Sequence, residues 1–389
     1  MSSPFQLLVI GGGPAGLAAA RSYREAGGGG AVAIVGDEKR MPYNRPPLTK
    51  ELLRGEMSEQ GLPIEDEAWL ADQQVGLVGG RAVSLDHAAR EVMLSGGRRL
   101  EYVACVLATG GEPKRLPIPG SDDPAVRVIR TLDDVRELDA RLRSASNVVV
   151  VGSGFIGCEI AASLRRRGHE VMLISDESAP NAARLGDEAG RELAGWLHQE
   201  GVTLHLASPC EAIERRGHLL HVAANSEHVS APVVVMAAGV APRGELAAAA
   251  GAELADGAIT VDAAMRTSLP GVLAAGDACR AHNETAGRSL RVEHWGDALS
   301  QGAVAGLTAA GQAAAWGDVP GFWSTIGNRT LKYAAWGDGY DEVRFERAGG
   351  GAFTAWYGKD GRVVGVLAHQ ADDSYERGQS LIAEGAAWA

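Results

Sequence analysis

The sequence predicts an α/β fold: two Rossmann-like nucleotide-binding domains and a small C-terminal α+β domain. Three observations carry this. A strand–glycine turn–helix–strand unit opens the chain and recurs near its middle, short apolar strands alternate with helical stretches, and the texture changes from about Asp318. Alternating strands and helices favour a parallel sheet. A supersecondary unit that occurs twice, well separated, implies two domains of one kind.

The first unit begins with the apolar run Phe5 to Ile10, followed at once by Gly11-Gly12-Gly13-Pro14-Ala15-Gly16. An alanine-rich helical stretch runs from Leu17 to about Ala26. Gly27 to Gly30 stop it, and Ala31 to Val35 reads as a second buried strand. In the second unit Asn147 to Val151 is the strand and Gly152-Ser153-Gly154-Phe155-Ile156-Gly157 the turn. Cys158 to Arg167 is the helix, Gly168 its end, and Glu170 to Ile174 the next strand. Tyr102 to Leu107, Val233 to Ala237 and Val272 to Ala275 are further short strands. Beyond Asp318, Trp323, Trp336 and Trp356 appear, and β-type runs such as Arg362 to Leu367 dominate. The expected division is residues 1–113 with 246–315, residues 114–245, and residues 316–389.

Both turns have the spacing G-x-G-x-x-G. The first glycine permits a tight turn, the second lets backbone approach a pyrophosphate, and the third lets helix and strand pack closely. The helix N-terminus then offers unpaired N–H groups and a partial positive charge. Gly11, Gly13 and Gly16 fill these places in the first turn, with Pro14 and Ala15 between them; Gly152, Gly154 and Gly157 fill them in the second. An acidic residue about twenty positions on holds an adenosine ribose in such units. Asp37 and Glu38 follow the first unit's second strand. Ser175, Asp176 and Glu177 follow the second's, with the acid displaced by one place. The nearest cation there is Arg184, so NADH is expected over NADPH.

The 389 residues suit two or three domains at roughly 100–200 residues each. A net charge of −12 argues against a nucleic-acid partner, which needs clustered Lys and Arg. No apolar run reaches the length of a membrane span, and Met1 to Phe5 has no signal-peptide pattern, so a cytoplasmic protein is expected. Cys105, Cys158, Cys210 and Cys279 form no C-x-x-C pair. The ten histidines are scattered, so no metal site is expected.

Beyond the glycine turns, Pro42-Tyr43-Asn44-Arg45-Pro46-Pro47-Leu48-Thr49-Lys50, Leu107-Ala108-Thr109-Gly110, Arg115-Leu116-Pro117-Ile118-Pro119-Gly120, Ala274-Ala275-Gly276-Asp277, Arg291-Val292-Glu293-His294-Trp295 and Phe322-Trp323-Ser324 are specific stretches. Through them the chain resembles the FAD-dependent pyridine nucleotide-disulfide oxidoreductase superfamily. Within it, the chain is similar to the ferredoxin and rubredoxin reductases of oxygenase and P450 systems, with apoptosis-inducing-factor-like relatives. The resemblance implies FAD in the first domain and NADH in the second. It implies that Asp277 bonds the ribityl chain of FAD and Arg45 its phosphates, and that Lys50 sits at the flavin N5 edge. Glu159 would hold the nicotinamide carboxamide and pair with Lys50. Trp295 and Trp323 would line the flavin pocket, with Val83, Ala108, Thr109, Gly110, Glu293 and His294 also at cofactor. Phe155, Ile156, Ser175, Asp176, Arg184 and Gly239 would contribute to the nicotinamide nucleotide site.

The stretch Pro42 to Leu53, where disulfide reductases of the superfamily carry C-x-x-x-x-C, has no cysteine. Thiol chemistry needs an accessible thiolate, so disulfide reduction is not expected. Thr325-Ile326 follows Ser324 where the family has Asp-Gln, and Lys332 stands at a family glutamine. The resemblance therefore implies transfer of electrons from NADH through flavin to a ferredoxin or similar iron–sulfur protein. It leaves open direct action on a small molecule or oxygen, or an NADH-sensing flavoprotein, and either a monomer or a homodimer. Docking of an acidic ferredoxin would need a basic patch, for which Arg329, Lys332 and Arg344 are candidates.

Overall fold

The computed structural model describes residues 3–225 and 227–388. Strand β1 (Phe5–Ile10) is buried from Leu7 onward. Helix α1 (Pro14–Glu25) starts directly after the turn, with Pro14 at its first position, where the missing N–H costs nothing. Strands β2 (Val32–Gly36), β3 (Val75–Gly79), β4 (Ala82–Asp86), β5 (Glu91–Leu94) and β6 (Arg99–Leu107) complete the local sequence of the first sheet, in the order β3-β2-β1-β6-β5-β4. β1, β2 and β3 run parallel, and β1 pairs parallel with β6. The strand Val272–Ala274 joins the end of β6, also parallel. β6 therefore does two jobs. Its first residues alternate in exposure and pair antiparallel with β5, whereas Cys105 to Leu107 are fully buried in the parallel core.

Around the second turn the arrangement repeats. β7 (Val126–Arg127), β8 (Asn147–Val151), β9 (Glu170–Ile174), β10 (Thr203–His205) and β11 (Val233–Met236) form an all-parallel sheet in the order β10-β9-β8-β11-β7. Helix α2 (Phe155–Arg166) follows β8 through the glycine turn. Both helices start about one turn earlier than the sequence pattern predicts. The cause is common: the third glycine of each turn, Gly16 or Gly157, is already helical. The antiparallel sheet Cys210–Arg216, Leu219–Ala224 and Glu227–Ala231 was not expected. In its first strand only Cys210 and Ile213 are buried, so outward charges mask the alternation that marks a strand.

Helix α3 (Trp295–Ala309) returns to the first sheet and lies on α1. A Cβ on Gly302 or Gly306 would fall 2.2 Å from the carbonyl oxygen of Ala15 or Ala19 respectively. The two helices thus meet backbone to backbone, which only glycine allows. The C-terminal region is α+β: β12 (Gly321–Ile326), β13 (Arg329–Ala335), β14 (Glu342–Arg347), β15 (Phe353–Lys359) and β16 (Arg362–His369) form an antiparallel sheet in the order β12-β13-β16-β15-β14. Helix α4 (Asp372–Ala383) packs on β16. This sheet is tied to the second nucleotide unit. The Tyr357 hydroxyl donates to Leu185 O at 2.9 Å, the Trp196 and His369 rings lie 4.6 Å apart, and Arg347 pairs with Glu188 and Glu192. Among the described residues, no helix is long and apolar enough to cross a membrane.

Candidate active site

The two turns have one geometry. Gly11 has φ +128°, and a Cβ there would lie 2.0 Å from Ala108 O; at Gly16 it would lie 2.1 Å from Gly11 O. In the second turn Gly152 has φ +107°, with Ala237 O at 2.4 Å, and Gly157 meets Gly152 O at 2.0 Å. These four glycines are therefore fixed by neighbouring backbone. The middle glycines differ: nothing lies within 4 Å of a Cβ built on Gly13 or Gly154. Each is the N-cap of its helix, and neither helix start is capped by a side chain. Open space above uncapped N–H groups is what a dinucleotide pyrophosphate requires, so the residues of both turns fit such a cofactor.

Between the turns lies a buried ion pair. Pro46 and Pro47 open a short 3₁₀ turn that ends at Lys50. Its Nζ donates to Glu159 Oε2 at 2.8 Å, from the second turn of α2, and the two side chains are 7% and 6% exposed. Thr49 Oγ1 donates to the same oxygen at 2.6 Å, and Ser324 Oγ of β12 donates to Glu159 Oε1 at 2.7 Å. Ser163, one turn further along α2, donates to Thr49 O at 2.7 Å. A carboxylate this deep is stable only when its oxygens are paired and hydrogen-bonded. Segments from all three parts of the chain meet at this one group.

A second cluster surrounds Asp277. Gly276 (φ +79°) turns the chain beside Ala15, and its N–H donates to Gln301 Oε1 of α3 at 2.9 Å. Asp277 Oδ2 accepts from Arg130 Nη2 at 2.6 Å. Ala108 is buried against Gly11, the Thr109 hydroxyl donates to Arg243 O at 2.7 Å, and Gly110 (φ +71°) faces the Arg130 guanidinium. Aromatic rings link the three parts nearby. Phe322 of β12 meets Phe155 edge-on at 4.7 Å and His294 at 4.5 Å. His294 Nδ1 lies 3.2 Å from the buried Asp297 carboxylate at the start of α3. Trp295 is half-buried, while Trp323 and Ile156 are 48% and 42% exposed.

The other expected positions are placed as follows. Ser175 is buried, and its hydroxyl lies 2.6 Å from that of Ser153. The acids after β9 are the exposed Asp176 and the half-buried Glu177, whose Oε2 accepts from Ala182 N at 2.9 Å. Burial holds the Glu177 carboxyl above the usual carboxylate range. Asp37 is exposed; it is Glu38 that is engaged, by Arg45 at 2.7 Å and by the Tyr43 hydroxyl at 2.6 Å. Arg45 also donates to Arg130 O at 2.7 Å, so its guanidinium is used within the protein. Val83 stands at a register shift between β4 and β5 and is half exposed. Gly239 (φ +95°) and Arg184 are exposed at the edges of the second unit, and Glu293 pairs with Arg291. The expected basic patch is neutralised: Arg329 contacts Glu200, Lys332 pairs with Asp372 at 2.9 Å, and Arg344 with Glu346 at 3.0 Å.

Thr49, Phe322 and Ser324 lie in stretches singled out from sequence but were given no role there, and Arg130 was not singled out. Each acts by touching a residue distant in the chain, and local pattern does not encode such partners. The four cysteines are buried and unpaired. Burial pushes their thiols up, Cys210 to about 11 and the others further, so none is a ready thiolate.

Residues 5–302 match the family of pyridine nucleotide-disulphide oxidoreductases. Over 386 residues the chain is 33% identical to a ferredoxin–NAD(P)(+) reductase of Sphingomonas sp, covering 97% of this chain and 92% of that protein. It is 34% identical over 394 residues to the ferredoxin–NAD(+) reductase component of an anthranilate 1,2-dioxygenase system of Burkholderia cepacia, covering 99% and 95%. Among solved structures, the ferredoxin reductase for the CYP199A2 system of Rhodopseudomonas palustris superposes with a TM-score of 0.92 at 31% identity, covering 98% of this chain and 95% of that one. With its paired glycine turns, its central Lys–Glu contact and this coverage, the chain belongs to the pyridine nucleotide-disulphide oxidoreductase family.

Proposed function

We propose that the protein oxidises NADH through FAD and passes the electrons to a one-electron iron–sulfur acceptor of the ferredoxin type. The observation that carries this is the Lys50–Glu159 pair, buried between two turns that each fit a dinucleotide. Bound FAD supplies a carrier that takes a hydride from a reduced nicotinamide and gives electrons up singly. In this reading residues 1–113 and 246–315 hold FAD, residues 114–245 hold NADH, and residues 316–389 face the acceptor.

The residues divide the work. The Gly13 turn and helix α1 hold the FAD pyrophosphate, and Asp277, fixed by Arg130, accepts from the ribityl hydroxyls. The Gly154 turn and α2 hold the nicotinamide nucleotide. The Lys50 ammonium would lie where negative charge would build on the reduced carrier, and burial would strengthen that attraction. Phe322, Phe155 and His294 keep water from the junction. The buried thiols and the cysteine-free Pro42 to Leu53 stretch favour a flavin that delivers electrons directly. All three related reductases described above are named for ferredoxin. Because the candidate docking cations are already paired, docking relies on contact around the exposed Trp323 more than on net charge.

For the nucleotide, Asp176 and Glu177 after β9 disfavour a 2′-phosphate, which supports NADH. Stopped-flow mixing of the yellow protein with NADH and with NADPH tests both points. Rapid bleaching by NADH, at least about tenfold faster than by NADPH at low nucleotide, and fast reoxidation by ferredoxin are expected. Equal rates would remove the nucleotide assignment, and reoxidation by a small organic acceptor or oxygen instead would replace ferredoxin.

Asp277→Ala is expected to leave Arg130 unpaired and to loosen FAD. The protein should elute from gel filtration with less than half its flavin, measured by the ratio of visible to ultraviolet absorbance. A fully yellow variant would remove Asp277 from the FAD contacts.

A further inference from the structure

We infer that Ser324 is a positioning residue for the reductive step, acting through Glu159. This rests on the reading of Lys50 and Glu159 given above. Two neighbouring residues of β12 face opposite ways, as strand geometry requires. Trp323 is 48% exposed, whereas Ser324 is 1% exposed and donates to Glu159 Oε1 at 2.7 Å. Glu159 Oε2 is already shared by Lys50 and Thr49. Ser324 is therefore the donor that holds the other oxygen. It is also the point at which the C-terminal sheet reaches the pair.

The consequence is geometric. A carboxylate tethered at one oxygen can swing about its last side-chain bond; tethered at both, it cannot. Lys50 takes its own position from Glu159 Oε2, so the ammonium is as well placed as the carboxylate that holds it. A hydroxyl as deep as that of Ser324 needs a partner, and Glu159 Oε1 supplies it. Register fixes it further: Ser324 lies opposite Leu331, with Trp323 opposite Lys332, so β13 holds the strand that carries both residues. A shift of β12 at the exposed Trp323 is thereby transmitted to Glu159 over a single peptide unit.

The test is a double-mutant cycle in the FAD-loaded protein, with Ser324→Ala, Glu159→Gln and the pair of substitutions. Ser324→Ala alone should lower the limiting rate of flavin reduction by NADH about tenfold, the scale of a hydrogen bond to a charged group. The dissociation constant for NAD⁺ should stay within about twofold, because the group does not grip the nucleotide. In the Glu159→Gln background the same serine substitution should change the rate less than about twofold. The thermal midpoint gives a second readout: Ser324→Ala should lower it by several degrees more in the wild-type background than in Glu159→Gln. Ser324→Thr, which keeps the hydroxyl, should recover most of the rate. Equal losses of rate in both backgrounds would overturn the inference, because Ser324 would then act without Glu159. An unchanged rate in Ser324→Ala beside a slowed Lys50→Ala would also overturn it. If Lys50→Ala itself reduces at the wild-type rate, the failure lies in the reading of the pair and not in Ser324.

Discussion

Lys50→Ala is expected to slow flavin reduction by NADH about 100-fold, the scale of losing one preorganised electrostatic contact in a dry site. The same substitution strands Glu159 as a buried charge held only by Thr49 and Ser324. Removing one member of a buried pair costs about 3–5 kcal/mol, so the thermal midpoint should fall as well. These effects can be separated. Lys50→Met combined with Glu159→Gln leaves no charge to desolvate and should recover much of the midpoint while the reduction stays slow. Stopped-flow absorbance and thermal unfolding measure the two. A Lys50→Ala protein reduced at the wild-type rate would take Lys50 out of the reaction.

The second large effect comes from the middle glycine of the second turn. Gly154 has ordinary extended backbone, φ −65° and ψ 176°, with nothing within 4 Å of the point where a Cβ would stand. Gly154→Val should therefore fold normally and stay yellow. Its methyl groups would occupy the space above the N-terminus of α2, where the pyrophosphate belongs. Loss of two or three of those N–H contacts weakens NADH by about 100-fold, read as the nucleotide concentration giving half-maximal reduction rate. Gly157→Ala provides the contrast. Its Cβ would lie 2.0 Å from Gly152 O, a clash with backbone that cannot turn aside, so that variant should lose stability as well. A Gly154→Val protein with unaltered NADH affinity would mean that the nucleotide does not approach this turn.

Much of the fold is legible because the deciding features are local. A glycine turn after an apolar strand is a short-range statement, and β1, β2, β8 and β9 fall within a residue or two of where the pattern puts them. The Lys50–Glu159 contact was readable only through resemblance, since 109 residues separate its members. Thr49 and Ser324 show the limit of this. A serine or threonine has no sequence signature for its partner, and its burial is a property of the assembled domains. The surroundings of Ser175 and Arg45 were illegible for a related reason. Their positions in the motif are unremarkable, and nothing local predicts that Ser153 and Glu38 would be their partners. The Cys210–Arg216 strand was missed because its solvent face is charged at adjacent positions.

The backbone contact of α1 with α3 also governs how the protein is made. The first glycine turn leaves the ribosome early, yet its supporting helix ends at Ala309 and the strand Val272–Ala274 is also needed. At about 5–20 residues per second, the interval between α1 and α3 is roughly a quarter of a minute to a minute. Throughout it, Ala15, Ala19 and the apolar side of α1 have no permanent cover. The second parallel sheet, by contrast, is drawn from one continuous stretch and can close before the last helix of the first is translated.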